Sequence, residues 1–199
     1  DPQEFIVLAR RLDKIKEVAA IELNISCPNL SRSKLISQDA RLTYAVVNRV
    51  RKVTQKTLIT KLSPNVSDIV EIAKAAQAAG TDAVALINTI TGMSIDVKTG
   101  KPRIAMATGG LSGPAIRPVA VRMVWEVYQK IKIPIIGMGG ITDTQSALEF
   151  FMAGATAISI GTTNFINPRV TIEIIAGIKR YLIRNKIKDI KTLIGSMKI

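Results

Sequence analysis

The chain has no histidine and only one cysteine, Cys27, in 199 residues. A single thiol excludes an internal disulfide and any cysteine-rich zinc or iron–sulfur site, and the lack of imidazole removes the commonest metal ligand and general base. Any acid–base chemistry therefore falls to Cys, Lys, Tyr, Asp or Glu. Aromatic residues are scarce, at 4%, which leaves few rings on which a base could stack. No apolar run approaches the roughly 18 to 20 residues needed to cross a bilayer. The opening stretch DPQEFIVLARRLDKIKEV reads as an amphipathic helix rather than a signal peptide. These absences predict a cytoplasmic chain with no membrane contact.

What remains is an ordinary globular composition, 47% hydrophobic and 22% charged, with length enough for a single domain over residues 1–199. The net charge of +13 is high. Its carriers (Arg10, Arg11, Lys14 and Lys16; Arg49, Arg51 and Lys52; Lys179, Arg180 and Arg184) are spread over what read as solvated helix faces. No nucleic-acid motif accompanies them, so no nucleic-acid partner is expected.

Short apolar runs at 19–25, 57–62, 82–87, 133–138 and 156–161 have the length and continuous apolarity of strands buried on both faces. Helical stretches separate them. Ser67 and Asp68 open one that stops at Gly80, Pro114 stands near the start of the next, and Asp143 begins another that ends at Gly154. A repeated strand–helix unit predicts an α/β fold with a parallel sheet. Both an open doubly wound sheet and a (β/α) barrel satisfy the repeat. The unusual residues favour the barrel, because the stretches 24–29, 61–65, 88–92, 137–140 and 161–164 all fall at the carboxyl ends of strands, the active face of a (β/α)8 TIM barrel. About five strand–helix units are readable where that fold has eight, and the first residue is Asp. The expectation is an N-terminally incomplete barrel with open edges. SIDVKTGKPRIAM reads as a hairpin turning at Thr99 and Gly100, an insertion around 92–107.

The candidate chemistry lies in those strand ends. Gly137, Gly139 and Gly140 follow a strand and precede a helix, and Gly161 with Thr162 does so one unit later. Two adjacent glycine turns let backbone N–H groups close on an anion, most simply a phosphate. Ordinary turn glycines are the alternative. Lys61 ends an otherwise apolar strand, where it either meets an anion or reaches out to solvent. Asn24, Asn29 and Asn88, with Thr89, offer amide and hydroxyl groups suited to a planar ring bearing carbonyl, N–H and carboxylate groups. Taken singly, each could be a loop cap. Cys27 sits before a proline on a loop at the same face, where a packing role is less natural. An ordinary thiol has a pKa near 8.5, so only a few per cent is thiolate at neutral pH.

In this order and spacing, NISCPN, KLSPNVSDIV, INTITG, GGLSGPAIRP, IIGMGGI and SIGTTNF resemble the class 1B dihydroorotate dehydrogenases, the FMN-containing catalytic subunits of bacterial pyrimidine synthesis. The resemblance covers essentially the whole chain and corresponds to the rear two thirds of that family's barrel. It implies that Cys27 removes a proton from C5 of dihydroorotate while hydride leaves C6 for the flavin, giving orotate. It implies that Asn24, Asn29, Asn88 and Thr89 hold the ring, with Asn24 also near the flavin. Lys61 and the Ile87 backbone would contact the isoalloxazine and Gly113 would lie beside it, while Gly139, Gly140, Gly161 and Thr162 would hold the FMN phosphate. It further implies a dimer of catalytic subunits within a heterotetramer, whose partner subunit carries FAD and a 2Fe–2S cluster and passes electrons to NAD. The loop after the cysteine, LSRSKLISQDARL, has no glycine where the family usually has several. Two other readings compete: a flavin domain like that of dihydropyrimidine dehydrogenase, which has the same cysteine role but where His is expected in place of Asn29, and an inactive truncated remnant.

Overall fold

The computed structural model describes residues 2–26 and 36–198. Helices α1 (Pro2–Asp13), α2 (Ala40–Arg51), α3 (Ile69–Ala78), α4 (Arg117–Tyr128), α5 (Thr144–Ala153), α6 (Thr163–Ile166) and α7 (Val170–Arg184) alternate with nine strands. The strands are β1 (Ala20–Asn24), β2 (Thr57–Lys61), β3 (Ala83–Leu86), β4 (Ile90–Met93), β5 (Ile95–Asp96), β6 (Lys101–Pro102), β7 (Thr108–Leu111), β8 (Ile135–Met138) and β9 (Ala157–Ser159).

The apolar runs form the main sheet, which is parallel throughout in the order β1, β2, β3, β8, β9. Each strand is a little shorter than its run. Its residues alternate between two faces. Ile21, Leu23 and Leu58 pack with residues of α1 and α2, and Val84, Leu86 and Ile135 pack with residues of α3, α4 and α5. Neighbouring helices touch in sequence, α1 on α2, α2 on α3, α3 on α4, α4 on α5 and α5 on α7. A doubly wound sheet would reverse its order at a switch point and carry helices on both faces. Sequential strand order under a single helical layer is instead an arc of a (β/α) barrel. The opposite face of the sheet is therefore the barrel interior, and it carries Glu22, Asn24, Lys61, Met138 and Ser159.

The helix boundaries follow from caps. Asp68 accepts from the N–H groups of Val70 and Glu71 to start α3, with Ser67 outside the cap, and Asp39 does the same for α2 through Arg41 and Leu42. Beyond α3, Gly80 has φ +93°, and Gly154 after α5 has φ +120°, backbone that a residue with a Cβ adopts only under strain. Core packing is close where the sheet meets α5. Phe150 is fully buried, and a Cβ on Gly137 would lie 2.6 Å from its ring and 3.0 Å from the Ala155 methyl. Gly137 is thus set by packing, which accounts for one of the glycines before the β8 turn without any ligand.

Between β3 and α4 the chain rises as an antiparallel ribbon, with β4 paired to β7 at its base and β5 to β6 at its tip. Gly109 and Gly110 lie within β7, where their weak strand preference would not place a strand. Packing explains one of them: a Cβ on Gly110 would overlap the Thr89 hydroxyl.

Asp143 caps α5 through a capping box. Its carboxylate accepts from the Ser146 N–H at 2.7 Å, and the Ser146 hydroxyl accepts from the Asp143 N–H at 3.0 Å. That Ser146 N–H, more than the Ser146 and Thr142 hydroxyls or the charge of Arg117, holds the carboxyl below its ordinary value against the opposing effect of burial, which is second only to it. With the folded pKa below the unfolded one, the carboxylate's contribution is complete above about pH 4 and is lost as pH falls through the depressed folded value. Asp143→Ala should cost about 0.5–2 kcal/mol at pH 7, measured by denaturant unfolding. The difference from the parent chain should shrink at pH 3, and a difference independent of pH would rule the carboxylate out as its source.

Candidate active site

Because every strand of the main sheet runs the same way, all their carboxyl ends meet at one rim. Asn24 and Lys61 are direct register partners there, on strands about 4.8 Å apart. Past the end of β3 the backbone stays locked between its neighbours: the Ile87 N–H donates to Met138 O at 2.9 Å and the Asn88 N–H to Leu62 O at 3.1 Å. This sets Ile87, Asn88 and Thr89 over the middle of the sheet before the chain leaves as the ribbon. The Leu86–Ile87 peptide is cis.

A cleft opens at this rim. Lys61, Ile87, Asn88, Thr89, Gly113, Gly139, Gly140, Gly161 and Thr162 all line it, together with Ser112, Ile116, Met138 and Ser159. Its empty space, open mouth included, is about 570 Å³. Asn24 stands at its edge, 3.5 Å from the Asn88 amide nitrogen. Cys27 and Asn29 lie outside the described residues.

The phosphate-cup candidates come from the loops after β8 and β9, and Gly113 from the loop after β7 packs beside them. Gly113, Gly139 and Gly140 have φ of +89°, +126° and +75°. A Cβ on Gly140 would lie 2.6 Å from the Gly113 carbonyl oxygen, so the loop after β8 packs directly on the loop after β7. Gly161 differs: a Cβ there would meet nothing within 4 Å and would project into open space. The Thr162 hydroxyl donates to the Ser112 hydroxyl at 2.9 Å, which ties the loop after β9 to the foot of the ribbon. Lys61 has no hydrogen-bonding or ion-pair partner among the described residues, and no carboxylate lines the cleft. A lone ammonium beside glycine-rich backbone is a site for an anion.

Three residues of the site lie in stretches or motifs that the sequence marked, yet none was assigned a role: Ser26, Asn65 and Ser112. Asn65 is a clasp: its side-chain N–H donates to Thr89 O at 3.0 Å, and its side-chain oxygen accepts from the Thr91 N–H at 2.9 Å, holding the foot of the ribbon to the loop after β2. Ser26, buried, bonds to both Asn24 and Asn88. A serine or asparagine of this kind is indistinguishable in sequence from any loop residue, since its value lies in partners far along the chain.

Residues 2–182 match the family model described as dihydroorotate dehydrogenase. The chain belongs to that family. It is 52% identical over 197 residues to a Trichlorobacter lovleyi protein and 52% identical over 198 residues to a Geobacter metallireducens protein, each named the catalytic subunit of dihydroorotate dehydrogenase B (NAD(+)). These matches cover 98% and 99% of the chain and 65% of each relative, so the chain spans just under two thirds of their length. A crystal structure of Eimeria tenella DHODH in complex with ferulenol superposes with a TM-score of 0.81 at 20% identity, covering 98% of the chain and 57% of that protein. At that identity the likeness speaks for the fold, a barrel of strand–helix units, and agrees with the arc described above. The family read from the six motifs is the one that the comparisons show.

Because a methyl on Gly161 would project into open space, Gly161→Ala should leave stability within about 0.5 kcal/mol of the parent chain; if the glycine turns form a phosphate cup, the same variant should bind FMN at least about tenfold more weakly, read by quenching of flavin fluorescence. Undiminished FMN affinity would remove Gly161 from the phosphate cup.

Proposed function

We propose that the cleft is the catalytic site of a dihydroorotate dehydrogenase that oxidises dihydroorotate to orotate with FMN, a step of de novo pyrimidine synthesis. The observation that carries this reading is convergence: residues from five separate segments, singled out by motif, line one cleft in a chain of this family.

The cleft suits FMN. A Cβ on Gly113 or Gly161 would project into open space, Lys61 supplies a cation without a partner among the described residues, and no carboxylate among the described lining residues opposes a phosphate. Gly139, Gly140, Gly161 and Thr162 would hold the phosphate, Lys61 and the Ile87 backbone would contact the ring system, and Gly113 would lie beside it. FMN, when bound, supplies the acceptor for the hydride that leaves C6 of the substrate. The protein's own part is positioning and proton transfer. Asn24, Asn88 and Thr89 orient the dihydroorotate ring, joined by Asn29. Cys27 takes the proton from C5, so the C5–C6 single bond becomes the double bond of orotate, with two electrons gone to the cofactor and one proton to sulfur. The Lys61 ammonium offsets negative charge that builds beside it. Electrons then leave to NAD through a partner subunit carrying FAD and a 2Fe–2S cluster, with two catalytic subunits in the assembly.

The test is an anaerobic visible spectrum of the FMN-loaded chain before and after dihydroorotate. Bleaching of the flavin is the expected result, and Cys27→Ala should hold FMN but abolish bleaching. Flavin that stays yellow with dihydroorotate but bleaches with dihydrouracil would replace this reading with a dihydropyrimidine dehydrogenase-like one. Flavin that stays yellow with both would leave a binding remnant. Full turnover by Cys27→Ala would remove the cysteine from the chemistry.

A further inference from the structure

A directional hydrogen-bond relay joins Asn88 to Asn24 through Ser26, and each step fixes the next. The Thr89 backbone N–H donates at 2.7 Å to the Asn88 side chain. A backbone N–H can only donate, so the atom beside it is the amide oxygen, and the amide nitrogen of Asn88 faces the other way. That nitrogen lies 2.7 Å from the Ser26 hydroxyl and donates to it. With its oxygen accepting there, Ser26 sends its one proton onward, to the Asn24 side-chain oxygen at 2.8 Å. The oxygen of Asn24 is thus consumed and its NH2 group left over. Ser26 is only 2% exposed, so water does not readily take the place of either asparagine. The relay runs from the end of β1 to the segment after β3, past β2 and Lys61, which lie between them in the sheet.

The consequence is a one-sided polar edge. Both side-chain oxygens are engaged within the protein, whereas Asn24 keeps two N–H donors and the second N–H of Asn88 has only long contacts within the protein, 3.5 Å to the Asn24 side-chain oxygen and 3.5 Å to the Ser26 carbonyl. We propose that Ser26 is a positioning residue which fixes the amide orientation of Asn24 and Asn88, so that both turn donors to the cleft and select a planar ligand edge rich in acceptors. Resting on the dihydroorotate reading, this assigns the pair to the carboxylate and ring-carbonyl oxygens of the substrate. An amino-substituted ring, which presents its own donors, meets donors in return and is rejected. Serine and threonine can both make the relay; alanine cannot make either bond.

Two measurements on the whole chain test this. In nitrogen-15 correlation spectra of the ligand-free chain, the side-chain amide signals of Asn24 and Asn88 should move in Ser26→Ala and return toward their original positions in Ser26→Thr. Signals that stay in place in Ser26→Ala overturn the relay. Titration of the FMN-loaded chain with orotate, followed by the flavin spectrum, should show affinity reduced about tenfold or more in Ser26→Ala, FMN affinity within about twofold of the parent, and orotate binding largely restored in Ser26→Thr. Equal orotate affinity in Ser26→Ala overturns the positioning role, as does a matching loss of FMN, which would mark general disruption. If the parent chain holds FMN but takes no orotate, the dihydroorotate reading fails and the ligand assignment with it, while the ligand-free spectra decide the relay independently.

Discussion

Everything at the cleft depends on the strands of the main sheet being parallel. Antiparallel neighbours would send alternate strand ends to opposite edges. Five parallel strands, each returned by a helix on the same face, deliver Asn24, Lys61, Ile87, Met138 and Ser159 to one rim. The helices enforce this by burial. A buried Val, Leu or Ile side chain is worth about 1.5–3 kcal/mol, and Leu58, Val84, Leu86 and Ile135 are all buried against the helical layer. Because the side-chain period is two, committing that face to the helices commits Asn24 and Lys61 to the other. The polar residues reach the interior as a by-product of where the apolar ones must go.

This dependence explains what the sequence discloses. Continuous apolar runs mark buried parallel strands strongly, and each was found within a residue or two of its run. Capping residues disclose helix starts for an equally local reason: Asp68 and Asp143 serve N–H groups two or three positions away. The choice between barrel and doubly wound sheet is not local, since it turns on strand order and on which face the helices take. Glycine turns bent the sequence reading toward the barrel, and the strand order settled it.

The site was legible to the same degree. Gly139, Gly140, Gly161 and Lys61 stand out because a turn glycine and a strand-end lysine break a local pattern. Ser26, Asn65 and Ser112 do not stand out, for their partners lie 62, 24 and 50 residues away. The strands β4 and β7 were equally hidden. ITGM and TGGL lack the alternation of a strand, and Gly110 is required by the Thr89 hydroxyl rather than by any strand preference. Such residues are selected by three-dimensional contact alone, which is why a sequence shows the parts that hold a ligand before it shows the parts that hold those parts.

The lining also constrains where proton transfer can come from. Among the described residues it contains amides, hydroxyls, glycine backbone, a few apolar side chains and one ammonium, with no carboxylate, and the chain has no histidine. Amides and glycines neither gain nor lose protons near neutral pH, and serine and threonine hydroxyls do so only when a neighbouring base draws the proton away. No such base is among the described residues that line the cleft. Lys61 is suited to stabilising negative charge beside it. On the proposed reading the work is therefore divided: the described cleft walls bind and orient, and Cys27 supplies the base.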